Sequence, residues 1–156
     1  VLGAGGTGAA AVAALRELGL REVGVVVRDS GRAADLCAAA DRLGVRVVLV
    51  PWPGVASLET ADLVVSTVPA GAADSVASEG GWSPRPGQLL FDVLYEPWPT
   101  AIASAAHDGG ASVVGGLELL VQQAALQVEC WSGQRGPVEV MRSAGQRALE
   151  ERRRAG

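Results

Sequence analysis

The chain opens VLGAGGTG, and Gly3, Gly5 and Gly8 fit the spacing G-x-G-x-x-G. A loop of this kind can carry the pyrophosphate of a dinucleotide. Gly3 would permit the tight turn, Gly5 would let the backbone approach the phosphates, and Gly8 would let a helix pack close to a strand. Free N–H groups in the first helical turn then face the anion, helped by the helix dipole. Among 21 glycines the pattern alone is weak, and a glycine-rich turn without a ligand is the bland alternative. Its setting favours the loop: an apolar stub, Val1 and Leu2, precedes it, an Ala-rich stretch follows, and the run VGVVV comes at the right distance.

That run ends at Val27, where an NAD enzyme usually carries a carboxylate for the ribose 2′-hydroxyl. Here the chain reads VRDSGRA, with Arg28 and Arg32 four apart. Two guanidinium groups suit a 2′-phosphate, so NADP is the expected cofactor. Two solvated arginines around a turn are the alternative, and Asp29 keeps NAD open because it could contact the ribose itself. Further along, Asp92 and Tyr95 follow an apolar run on its C-terminal side, the edge where open α/β sheets bind ligands. Tyr95 would serve equally as a surface anchor. Gln122 and Gln123 are adjacent amides in an apolar stretch. They need partners or cost about 1–3 kcal/mol each, and a substrate cleft or a polar stripe would provide them. His107 reads as a surface residue at a helix end. Cys37 and Cys130 lack C-x-x-C spacing and read as reduced, buried, small residues of a cytoplasmic protein.

The elements that must position these residues alternate along the chain. Residues 7–18 and 31–43 carry helical patterns stopped by Gly19 and Gly44. Apolar runs at 23–27, 45–50, 63–67, 89–93 and 111–114 read as strands, with a short helix over 99–107 before the last. Continuous apolar strands separated by helices predict a parallel sheet covered on both faces. The expected fold is therefore an α/β, doubly wound Rossmann-type sheet in the order 3-2-1-4-5-6, its first strand truncated to the stub. C-terminal helices complete it. Residues 117–131 form a helix apolar nearly all round, whose face Leu117, Leu120, Val121, Ala124 and Val128 is expected to pack on the sheet. Gln123 borders that face, so Tyr95 and Gln123 are expected to approach one cleft. A last helix begins near Pro137 and ends in the run EERRR, which reads as a solvated tail.

With 49% hydrophobic and 19% charged residues, 156 residues suffice for one globular domain. The net charge of −4 argues against nucleic acid as the main partner. No apolar run reaches the length of about 20 residues that spans a bilayer, so no membrane partner is expected. No metal site is read.

GAGGT (3–7), RDSGRA (28–33), STVP (66–69), DVLYEP (92–97) and GGLELLVQQAALQVECWSG (115–133) occur in that order. Together they resemble the C-terminal cofactor-binding domain of shikimate dehydrogenase, which reduces 3-dehydroshikimate with NADPH. The last two stretches make the resemblance specific, and it covers nearly the whole chain. It implies that Gly3, Ala4, Gly5, Gly6 and Thr7 form the diphosphate loop. Val27, Arg28, Asp29 and Arg32 match an N-R-T-x-x-R segment that grips the 2′-phosphate, with Val27 for Asn and Asp29 for Thr. Ser66 and Val68 match an N-A-T-P turn beside the cofactor. Val93 matches a position that touches the cofactor and Gly116 one on the nicotinamide side, while Leu119, also matched to the cofactor site, stands where the family usually has Met. Tyr95 and Gln123 match positions that reach the substrate. The family's catalytic Lys and Asp belong to a preceding domain. Nothing here matches that domain, and all 13 basic residues are Arg. The whole of 1–156 is thus expected to be a dinucleotide-binding domain, inactive alone and with no catalytic residue of its own, sharing its substrate with a domain upstream. A quinate-type dehydrogenase accepting NAD and a non-catalytic nucleotide-sensing module are the competing readings.

Overall fold

A computed structural model of the chain describes residues 1–78 and 81–155. In chain order it contains α1 (Gly6–Glu17), β1 (Glu22–Val27), a 3-10 turn (Ser30–Ala33), α2 (Ala34–Arg42), β2 (Arg46–Pro51) and α3 (Val55–Thr60). Then follow β3 (Leu63–Ser66), α4 (Asp74–Ala77), β4 (Leu89–Asp92), α5 (Ala101–Asp108), β5 (Ser112–Val114), α6 (Gly116–Ser132) and α7 (Val138–Ala155). The short helices α3 and α4 escape the sequence pattern, because six and four residues are too few to display a helical period.

All strand pairs are parallel. β1 pairs with β2, with Val27 opposite Pro51, and β3–β4–β5 form a second group in which Ser66 lies opposite Asp92. The stub joins the two groups. Leu2 bridges Val26 on one side and Ser66 on the other. Its N–H donates to the Val65 carbonyl (2.8 Å), its carbonyl accepts from the Thr67 N–H (3.0 Å), and the Gly3 N–H donates to the Val26 carbonyl (3.0 Å).

Successive strand residues point to opposite faces, and β1 divides accordingly. Val23, Val25 and Val27 join Val12 and Leu15 of α1 and Leu36 and Ala40 of α2 in one buried cluster. Val26 and Leu2 join Leu58, Val76 and Ile102 of α3, α4 and α5 in the other. Gln88 is matched to the backbone, whereas the buried Ser66 Oγ and Trp82 Nε1 have no hydrogen-bond partner. The buried Gln88 amide donates to the Leu58 and Ala61 carbonyls, closing the loop before β4.

The C-terminal helices differ from expectation in their cover. α6 buries Gly116, Val121 and Ala125, with Leu117, Ala124 and Val128 half-buried, so the anticipated face is rotated slightly towards Ala125. Leu120 is left 40% exposed. The helix packs chiefly on α7 rather than on the sheet. A Cβ at Gly136 would stand 2.5 Å from the Ala125 Cα, and one at Gly145 would stand 2.7 Å from Leu117 Cδ1. These small residues let the two helices close on each other and displace the sheet as the partner. The EERRR run is exposed and lies within α7, where Arg152 pairs with Glu96 (3.1 Å) and Arg153 donates to the Trp98 carbonyl (2.9 Å). Cys37 is half-buried and Cys130 is exposed, against the expectation that both are buried; both are free. Cys130 lies on the side of α6 that α7 does not cover. His107 is exposed in the last turn of α5, as its position before DGG predicts.

Candidate functional site

Beyond the ends of the stub and of β1, the glycine loop and the segment 27–32 face one cavity. Gly3 holds φ +94°, a conformation that side-chain-bearing residues rarely adopt. Gly8 is needed for a different reason: a Cβ there would lie 2.6 Å from the Gly3 carbonyl oxygen. A Cβ at Gly5, by contrast, would meet no atom within 4 Å, so the backbone at this point borders open space. No side chain caps α1 and no acidic residue sits in its first turn. Its leading N–H groups, on Gly6 and Thr7, are therefore free to receive an anion.

The open space is a cavity of about 750 Å3. Gly3, Ala4 and Gly5 line one wall, and Val27, Arg28, Asp29 and Arg32 line another. Thr67 and Val68, with the turn 69–72, close the third. Thr67 was not singled out by sequence, although it lies between two residues that were; its Oγ1 donates to the Leu2 carbonyl (2.8 Å) and fixes the loop's stem. Ser66, expected beside the cofactor, is buried at 1% exposure and does not line the cavity. It is the last residue of β3, in register with Asp92 and bridged to Leu2. Asp29 caps the 3-10 turn, its Oδ1 accepting from the Gly31 N–H (2.8 Å). Arg28 donates from Nη2 to the Ala72 carbonyl (2.8 Å).

A second cavity, of about 400 Å3, shares no lining residue with the first. Tyr95, Trp98, Gly115, Gly116, Leu117 and Glu118 line one side and α7 the other. Its shape follows from a close approach: a Cβ at Gly116 would collide with the Val93 carbonyl oxygen. The Gly116 N–H donates to the Leu94 carbonyl (2.9 Å). Asp92 anchors the loop that carries Tyr95. It is fully buried, its Oδ2 accepts from Thr100 Oγ1 (2.7 Å) and its Oδ1 from the Leu94 N–H (3.2 Å). Across the cavity Arg142 donates from Nε and Nη2 to both Glu118 oxygens (2.8 Å each). These bonds, with one from Gln122, hold the Glu118 carboxyl down at about 2.

Tyr95 and Gln123 do not meet in this cavity. Tyr95 lines it at 38% exposure, whereas Gln123 is exposed and absent from its walls. At about 100° per residue Gln123 stands two turns above Gly116 on one stripe of α6, well away from the face that α7 covers. Gln122 finds its partner locally, donating to Glu118 (2.7 Å). Val93 and Leu119 are half-buried and line neither cavity. Among the described residues no group of His, Cys, Asp or Glu could hold a metal ion. No helix among them is long and apolar enough to cross a membrane.

A parallel sheet knit by a glycine-rich stem, with helices on both faces, defines a Rossmann-like α/β protein. Residues 116–144 match the model of the shikimate 5′-dehydrogenase C-terminal domain. The shikimate dehydrogenase (NADP(+)) of Oleidesulfovibrio alaskensis is 37% identical over 88% of this chain and 49% of its own length. The crystal structure of Mycobacterium tuberculosis shikimate dehydrogenase superposes with a TM-score of 0.80 at 38% identity, covering 92% of this chain and 54% of that one. That of the Thermus thermophilus enzyme, in complex with NADP(H) and shikimate, gives 0.73 at 30% identity, over 94% and 53%. The chain is similar to the shikimate dehydrogenases, and it spans about half the length of the relatives it matches.

Proposed function

We propose that this chain is the NADP(H)-binding part of a shikimate dehydrogenase, an oxidoreductase that interconverts 3-dehydroshikimate and shikimate. The observation that carries the reading is the larger cavity, which joins the glycine loop to Arg28 and Arg32. Residues 1–156 form one cofactor-binding domain in this reading. Its sheet is doubly wound, with the stub as the central strand in the order 3-2-1-4-5-6. Gly3 to Thr7 and the first turn of α1 hold the pyrophosphate, and Arg28 and Arg32 hold the 2′-phosphate. Asp29 and Val27 border the ribose, while Ser66 shapes the turn that presents Val68. Val93, Gly116 and Leu119 bound the nicotinamide end, which the tight contact of Gly116 on the 93–94 backbone supports. When bound, the cofactor supplies a hydride to the substrate ketone. This chain's residues bind and orient, Tyr95 and Gln123 reaching the substrate from the exposed side of the domain. The proton-transferring residues belong to the rest of the protein.

Titration calorimetry tests this directly. NADP(H) should bind the chain more tightly than NAD(H), and Arg28→Ala should cost about 1.5–3 kcal/mol of NADP(H) affinity through a lost charge-assisted contact. Equal affinities, or an indifferent Arg28→Ala, would remove the phosphate clamp. One observation favours a second reading, in which NAD is accepted. Asp29 lines the same cavity with only its Oδ1 engaged, so Oδ2 is free to take a ribose hydroxyl. Tighter binding of NAD(H) that Asp29→Ala abolishes would select it.

A further inference from the structure

Trp52 is absent from every sequence motif, yet it lines the larger cavity. The parallel register places it there. Val27 lies opposite Pro51, and the Trp52 N–H donates to the Val27 carbonyl (2.9 Å), so residues 28 and 52 emerge side by side beyond the sheet. The Arg28 guanidinium carbon stands 5.0 Å from the centroid of the indole ring. A cation within about 6 Å of an aromatic face is attracted by the ring's quadrupole, and Trp offers the strongest face. The indole is itself held, its Nε1 donating to Ser75 Oγ in α4 (3.1 Å). Arg28 also reaches the Ala72 carbonyl, in the turn just before α4. Arg28 is thus confined from two sides, and a guanidinium has five N–H donors, of which this arrangement occupies one.

We propose that Trp52 is a positioning residue for cofactor selectivity: stacked under Arg28 and pinned by Ser75, it orders the guanidinium for a 2′-phosphate before the ligand arrives. This rests on the clamp reading above and deepens it. A free arginine loses its rotamer freedom on binding; one already confined loses less, and the gain falls on the ligand that carries the phosphate. Trp52 would therefore act on NADP(H) and leave NAD(H) nearly untouched.

The test is calorimetry of NADP(H) and NAD(H) on the full chain carrying Trp52→Leu, Trp52→Phe, Arg28→Ala and the pair Arg28→Ala with Trp52→Leu. Leu keeps apolar bulk and removes the π face; Phe restores a face. Trp52→Leu should weaken NADP(H) by about three- to tenfold and NAD(H) by less than about twofold, with Phe recovering most of the loss. In the Arg28→Ala background Trp52→Leu should have no further effect on either ligand. Equal weakening of both ligands would make Trp52 a general floor of the cavity and overturn the proposal. So would an unchanged NADP(H) affinity, or a full Trp52→Leu effect without Arg28. An Arg28→Ala variant that binds NADP(H) normally would instead bring down the clamp itself. If Trp52→Leu does not fold, Ser75→Ala, at an exposed position, frees the indole. It should lower NADP(H) affinity alone, and its indifference would count against the proposal.

Discussion

At the level of single residues, the decisive positions are those where a missing side chain lets two backbones touch. Gly116 sits against the Val93 carbonyl with no room for a methyl group. Gly116→Ala should lower stability by about 1–3 kcal/mol or more, since the 93–94 strand extension or the start of α6 must move. Denaturant unfolding measures it, and a change within error would mean the loop is softer than its hydrogen bonds imply. The placement of Gly3, Gly5, Arg28 and Arg32 around one cavity, and of Gly8 against the Gly3 carbonyl, was legible in the sequence because it follows from fixed spacings. Trp52 and Thr67 were not, because what brings them to the cavity is strand register and a hydrogen bond to Leu2, neither of which is written in a local pattern.

Among the elements, the α6–α7 pair shows where pattern reading stops. The apolar stripe of α6 was readable nearly to the residue, but a stripe says only that something covers it, not what. Small residues at 136 and 145 decided for α7 over the sheet. The pair is tied by Arg142 on Glu118, with Glu139 as a second acceptor. A carboxyl whose folded value lies below its unfolded one contributes fully above the unfolded value and loses that contribution as pH falls through the folded one. For Glu118 the window runs from 4.5 down to about 2. Partial exposure and solvent screening make the effect modest. Thermal melts should lose stability across that window, and Glu118→Gln should flatten part of the slope while lowering stability near pH 7. Melts of the variant that parallel those of the parent would show that the ion pair does not couple the helices.

For the whole molecule, large apolar side chains remain exposed on the C-terminal helices. Leu126 is 63% exposed, Trp131 81% and Val140 65%, all on the two C-terminal helices. Leu120 and Trp131 fall within about 20° of one another around α6, whereas Leu126 stands about 140° from Trp131. Exposed large apolar side chains such as these favour association. In isolation the chain should self-associate at high concentration, and Trp131→Gln should reduce this by sedimentation velocity without moving the melting temperature by more than a degree or two. On the proposed reading it should also turn over no shikimate, because the proton-transferring residues then lie outside it; steady NADP-dependent turnover by the pure chain would show them to lie within it. Such a surface was foreseeable from the apolar α6, but its extent was not, because burial is a property of what packs on a helix.

The stem of the glycine loop has a consequence for how the molecule comes apart. The backbone amides of residues 2 and 3 are the stitches between the β1–β2 half and the β3–β4–β5 half. The halves should therefore behave as two exchange-competent foldons sharing one seam. Leu2→Ala, which hollows a fully buried site, should cost about 2–5 kcal/mol and separate a single cooperative transition into two. A dinucleotide that clasps the loop would close the same seam from outside. Its arrival should slow deuterium uptake at Gly3, Val26 and Thr67 together, on both halves at once, although no ligand atom need touch the interior of either.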